Sequence, residues 1–318
     1  MERGKRSLRI RNLLLRQCLS EFLGSFVVIV SKSNFAFACA NLAMFGCSAL
    51  AQMKTSHGAR GELLSVNLSF SAGIVVAMYL GRDISGAHLN PALSLSSCVL
   101  GSLSWSKLLP YCFSQILGAY MGSALVFLMY YEEAIMEYSG GVLAVYGPNE
   151  TASIFATYPS SFLSVSSTFL DQVVATGILM LSYLPLADPH NSPASRDLLP
   201  LLVGVMFMGI SSSVSSNSGG GVNPARDLGP RLFTLFAGWG PEVFTCYNYW
   251  FWVPIAAPML GALLGSGIYA VFIQWHLPGS ERDGPGSALA LTGHSSKAAE
   301  RRETNVVQHG EDLSQIRL

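Results

Sequence analysis

Two asparagines, Asn90 and Asn223, sit in identical tripeptides, Asn90-Pro91-Ala92 and Asn223-Pro224-Ala225, each with glycines just before it and an apolar run after it. An asparagine side chain offers two N–H donors and one carbonyl acceptor, so it can hold the oxygen of a neutral solute without exchanging a proton. Proline is tolerated in the first turn of a helix, and an asparagine before it is a strong N-cap. Each tripeptide therefore reads as a helix start, and the helices, over 90–100 and 223–236, are too short to cross a bilayer. Arg226 follows the second tripeptide and would hang into the path beside it, because an arginine in hydrocarbon is otherwise costly. Asp227 could pair with a neighbouring arginine and steady that half-helix. The chain shows no nucleophile–base pair, metal-ligand cluster or phosphate loop, so the reading is neither an enzyme nor a cofactor protein.

Those side chains need a scaffold that holds them inside a membrane, and composition supplies it. Half the residues are apolar and 12% are charged, against roughly 25% in soluble domains. Net charge is zero, which gives no footing for nucleic acid. Crossing needs about 20 apolar residues. The candidates are one within 17–52, then 63–81, 107–131, 166–187, 199–217 and 250–275. The expected fold class is an all-α membrane protein with six transmembrane helices and two re-entrant half-helices. Each half runs span, span, short segment, span (17–131 and 166–275). Three spans per half make the second half enter from the opposite face, an inverted repeat that aims the half-helices at each other. Glu21 and Asp171 open the two halves inside apolar runs and are expected to accept hydrogen bonds from the unwound backbone before each half-helix. A leader over 1–16, with Arg3, Lys5, Arg6, Arg9, Arg11 and Arg16, faces a 132–170 stretch without Lys or Arg, which places both termini in the cytoplasm. The tail over 276–318 is polar and reads as disordered. Trp239, Tyr247, Tyr249, Trp250 and Trp252 are expected as an outer aromatic belt, and the six cysteines as packed free thiols. An ion-coupled transporter should carry a titratable midplane site, whereas here the midplane offers amides and helix ends.

These residues resemble the aquaporin family over roughly 14–275, apart from one insertion. The likeness rests on both Asn-Pro-Ala motifs and on Ser85-Gly-Ala-His-Leu89 before the first. Asp227 directly after Arg226, in Asn223-Pro-Ala-Arg-Asp-Leu-Gly-Pro-Arg231, is similar to the aquaglyceroporin branch. The resemblance implies an aquaporin-type channel domain over 17–275, a homotetramer in the lipid bilayer of the plasma membrane, and passive passage of water, glycerol and small neutral solutes such as urea. Spacing from the motifs carries the family's constriction onto Phe70, Ser211, Gly220 and Arg226. Water-selective relatives place a bulky histidine at the position of Ser211 and a larger residue at Gly220. Both are small here, leaving room for a three-carbon polyol, although Gly220 departs from the usual aromatic pair.

One segment breaks the pattern. Ser31–Met44 intervenes where the family continues from Val30 into Phe45, stretching the apolar run to about 35 residues, or ~50 Å as a helix against a core of about 30 Å. Either 17–31 spans with an excursion after it, or 35–53 spans and Glu21 is displaced; the second leaves open a non-conducting or structural protein of the same fold. Asn149-Glu-Thr151 is an expected N-glycosylation acceptor outside the membrane, while Asn67-Leu-Ser69 lies in a span and is rejected. His88, two residues before Asn90, would face the inner vestibule and could sense pH, since histidine titrates near neutrality; a neutral backbone-bonded histidine is the plainer alternative.

Overall fold

The computed structural model describes residues 12–23 and 38–278. The leader over 1–11, the tail beyond 278 and residues 24–37 lie outside the described residues, as does the side chain of Glu21. The main helices are α1 Leu13–Leu23, α2 Ala38–Thr55, α3 Leu63–Ser85, α4 Pro91–Val99, α5 Leu108–Tyr130, α6 Val165–Ala187, α7 Leu199–Ser218, α8 Pro224–Thr234 and α9 Val253–Phe272. Helices α4 and α8 are the half-helices, and no strand occurs among the described residues. Five helical segments there are long and apolar enough to cross a membrane.

The first span is described in part: α1 has 11 residues and α2 has 18, and α2 falls within a few residues of the 35–53 alternative. Ser20 of α1 donates to the Gly81 carbonyl and receives the Ser85 hydroxyl at the far end of α3. On α2, Gly46 lies against Phe70, and the Phe45 carbonyl accepts from Ser69. The two helices lie against successive stretches of α3, and residues 24–37 between them lie outside the described residues.

The halves interlock by exchanging their short helices. Half-helix α4 packs on α9 and α8 packs on α5, so each leans on the third span of the opposite half. Within each half the first span contacts the second and third, α2 with α3 and α5, and α6 with α7 and α9, while α3 and α7 meet across the centre. Both second spans end on a left-handed glycine, Gly86 at φ 92° and Gly219 at φ 74°. Glycine enters that region without a Cβ penalty, and the chain turns there to re-enter.

Glycines also set the closest helix approach. A Cβ on Gly261 of α9 would fall 2.3 Å from the Val173 carbonyl oxygen of α6, and one on Gly265 would fall 2.4 Å from that of Gly177. Small residues let membrane helices pack backbone to backbone. Gly261→Val is expected to force α6 and α9 apart and cost about 3 kcal/mol. A melting temperature in detergent equal to that of the unaltered protein would remove this contact from the account.

The aromatic belt is corrected as well. Trp239 and Trp250 are buried; their indole N–H groups donate to Thr151 Oγ1 at 3.2 Å and Thr168 Oγ1 at 2.8 Å. A buried indole needs such a partner. Tyr249 and Trp252 are exposed. Among the described cysteines, Cys47, Cys98 and Cys246 are free thiols.

Candidate functional site

Each motif asparagine caps its own helix and ties itself to the other motif. Asn90 Oδ1 accepts from Ala92 N at 2.9 Å, and Asn223 Oδ1 accepts from Ala225 N at 3.0 Å and Arg226 N at 3.4 Å. Asn90 Nδ2 donates to the carbonyl of Val222, the residue before Asn223, at 3.0 Å; Asn223 Nδ2 donates to that of Leu89, the residue before Asn90, at 2.8 Å. An amide carries two N–H bonds, so each asparagine keeps one for a third partner. Leu89 and Ala87 hold left-handed backbone, φ 57° and 48°. Non-glycine residues adopt that region only where their surroundings enforce it, and Leu89 is the residue whose carbonyl Asn223 takes.

A cavity lies on either side of this pair. The one beside Arg226, outer on the expected orientation, is about 160 Å3 and the other, the inner one, about 60 Å3. Asn223 and Phe207 line both, while Asn90 and His88 line the inner one. His88 Nδ1 is 3.2 Å from Ser94 Oγ, and its ring meets Tyr111 edge-on.

The structure gathers Phe70, Ser211, Gly220 and Arg226 around the outer cavity. The Arg226 guanidinium sits 4.9 Å from the Phe70 ring centre and donates through Nη1 to the Phe155 carbonyl at 2.7 Å. Among the described residues no carboxylate pairs with it, which leaves donors facing the cavity. Phe70 fits because α2 offers Gly46, where a Cβ would lie 1.9 Å from the ring. The Ser211 hydroxyl donates to the Phe207 carbonyl at 2.8 Å, so it presents an oxygen rather than a proton.

Asp227 does not reach the cavity. It is fully buried and accepts from Arg231 Nε at 2.8 Å, Arg231 Nη2 at 3.0 Å, Thr157 N at 2.8 Å and the Thr157 hydroxyl. Arg231 also donates to the carbonyls of Val243 and Thr157 and stacks over Tyr158. The acid expected beneath the second half-helix needs correction. Asp171 accepts from the side chains of Asn217 at 3.0 Å and Ser218 at 2.6 Å, not from unwound backbone. Asp171 is only partly buried, whereas its neighbour Gln172 is buried and lies against the loop, where a Cβ on Gly221 would meet its amide at 3.0 Å. Sequence reasoning gave no role to Gln172, Gly46 or Thr157. The neighbouring arginine it expected to pair with Asp227 is Arg231, four residues on, an ion-pair spacing on a helix.

Two half-helices whose tips meet between an outer and an inner cavity, inside a bundle of apolar spans, define a polytopic membrane protein with a solute path through each chain. The chain belongs to the major intrinsic protein family, whose profile matches residues 9–269. It is 43% identical to human (Homo sapiens) aquaporin-10 over 92% of this chain and 91% of that one. It is 42% identical to human aquaporin-9, over 86% and 88%. The X-ray structure of the aquaglyceroporin from Plasmodium falciparum overlays with a TM-score of 0.69 at 26% identity, covering 82% of this chain and 97% of that one.

Proposed function

We propose that this protein is a passive channel for water, glycerol and other small neutral solutes, moving single file down their gradients. The observation that carries the reading is the reciprocal asparagine pair between two cavities, each amide holding one N–H in reserve. A hydroxyl oxygen passing between the half-helices meets two such donors. The helix N-termini converge at the same point, and their positive ends disfavour protons and cations. Phe70 and Arg226 offer an apolar face opposite N–H donors, which suits a molecule with carbons on one edge and hydroxyls on the other. Small residues at Ser211 and Gly220 leave room for it. Asp171 and Asp227 act as supports rather than contacts, and the expectation for Glu21 carries no structural support because its side chain lies outside the described residues.

Stopped-flow light scattering on proteoliposomes tests this. Fast, non-saturating glycerol and water flux is expected. Water flux without glycerol would mean that Phe70, Ser211 and Gly220 do not form the size filter. The Ser31–Met44 insertion is the ground for a second reading, a non-conducting or structural protein of this fold; absence of both fluxes from folded protein would select it. We further place the protein in the plasma membrane as a homotetramer with cytoplasmic termini, on the basic leader and the family. Asn149 is exposed in the turn after Pro148 and is the proposed glycan acceptor. Asn67 is buried in α3 and is not a candidate.

His88, on the inner cavity wall, is the proposed pH sensor. Glycerol flux is then expected to change between about pH 5 and 8, with His88→Ala removing the change. A His88→Ala profile that follows the unaltered protein would leave the histidine as a wall residue only.

A further inference from the structure

We propose that Asn67 and Ser215 form a hydroxyl-pair site in the outer cavity that favours polyols with adjacent hydroxyls; the inference rests on the channel reading above. A polar amide inside a membrane span is expensive and tends to mark a solute path or a helix contact. Asn67 lies three residues before Phe70 on α3, is 4% exposed and faces α7. Its Nδ2 donates to Ser215 Oγ at 3.0 Å and Ser212 Oγ at 3.4 Å. Both N–H bonds are thereby used, and Oδ1 is the atom left for a solute in the cavity that Asn67 and Ser215 both line. Ser215 Oγ accepts from the amide, so its own O–H is free to donate.

The result is an acceptor and a donor side by side. One hydroxyl of a 1,2-diol can donate to Asn67 Oδ1 while its neighbour accepts from Ser215. Water has no second hydroxyl to complete the pair, and an extra methylene between two hydroxyls spoils the fit. The site is uncovered by Gly220. A Cβ there would lie 3.6 Å from Ser215 Cβ and 3.8 Å from its Cα, and the φ of +63° disfavours any side chain. The residue that departs from the family's aromatic pair thus opens a polar wall facing Arg226 and Phe70. Discrimination then comes from hydrogen-bond pattern as well as width.

The test uses the full chain in proteoliposomes and reads the ratio of glycerol to 1,3-propanediol permeability, with water flux reporting an intact pore. Asn67→Leu is expected to lower that ratio about threefold to tenfold, and Ser215→Ala about threefold, as loss of one hydrogen bond would. If Asn67→Leu protein conducts no water, Ser215→Ala decides alone, since it removes one oxygen and keeps the Cβ. Ratios unmoved in conducting variants overturn this inference and leave the channel reading standing. Unaltered protein that passes water but no glycerol overturns this inference together with the filter assignment, and folded protein that passes neither overturns the channel reading with it.

Discussion

Asp227→Ala is expected to destabilise the protein by about 3–5 kcal/mol, because it strands the Arg231 guanidinium without a counter-charge where neither side chain reaches solvent. Against a typical total of about 5–15 kcal/mol, that is a large fraction. Arg231 would keep the carbonyls of Val243 and Thr157 and the face of Tyr158, but its Nε–H and an Nη2–H would lose their acceptor along with the counter-charge. Thr157 would lose the carboxylate that takes both its backbone N–H and its hydroxyl. That segment carries the Phe155 carbonyl holding Arg226, so the outer wall should loosen along with the fold. The measurement is thermal unfolding in detergent, with a fall of about 10 °C or more expected. Asp227→Ala combined with Arg231→Met should recover much of the loss, since removing both members of a buried pair is far milder than removing one. A melting temperature for Asp227→Ala within about 2 °C of the unaltered protein would show that the pair does not hold the half-helix.

The parts of this molecule legible in its sequence are those governed by local rules. Asn before Pro fixed both half-helix starts, whereas the left-handed glycines that end the preceding spans, Gly86 and Gly219, came from the structure. The apolar runs placed α3, α5, α6, α7 and α9 to within a few residues, because bilayer thickness dictates their length. Side-chain partnerships across the fold were less legible. Nothing local distinguishes Gln172 from Asp171, adjacent positions on one apolar helix, as the residue packed against the re-entrant loop; only the register of α6 against that loop decides. Trp239 and Trp250 looked like interface residues because hydropathy counts them without knowing that Thr151 and Thr168 wait for their N–H groups. Gly46 gave no sign that it makes room for Phe70, since its effect is felt 24 residues away. The first crossing stayed open for another reason: an apolar run of about 35 residues is too long for one span, and hydropathy alone does not say which part of it crosses.

The exchange of donors between the two motifs leads to the largest expected change in transport. Asn223→Asp should leave the protein folded and lower glycerol permeability by more than about tenfold, the scale of losing a positioned hydrogen bond or two. The carboxylate remains a good N-cap, able to accept from Ala225 N and Arg226 N as Asn223 does now, and a negative charge at a helix N-terminus is favourable. What disappears is the N–H pair. The 2.8 Å bond to the Leu89 carbonyl becomes two oxygens facing each other, and the donor kept for a passing hydroxyl is gone. The charge acts in the same direction, because a carboxylate between the two helix tips cancels the positive potential that disfavours cations there. Glycerol flux should therefore fall while a cation leak appears, both read from one proteoliposome preparation with a scattering trace and a sodium-sensitive dye. Folded Asn223→Asp protein with unchanged glycerol flux would mean that the amides cap and brace the half-helices but do not touch solute. Selectivity would then have to reside wholly in the outer cavity, among Phe70, Arg226 and the wall that Gly220 leaves open.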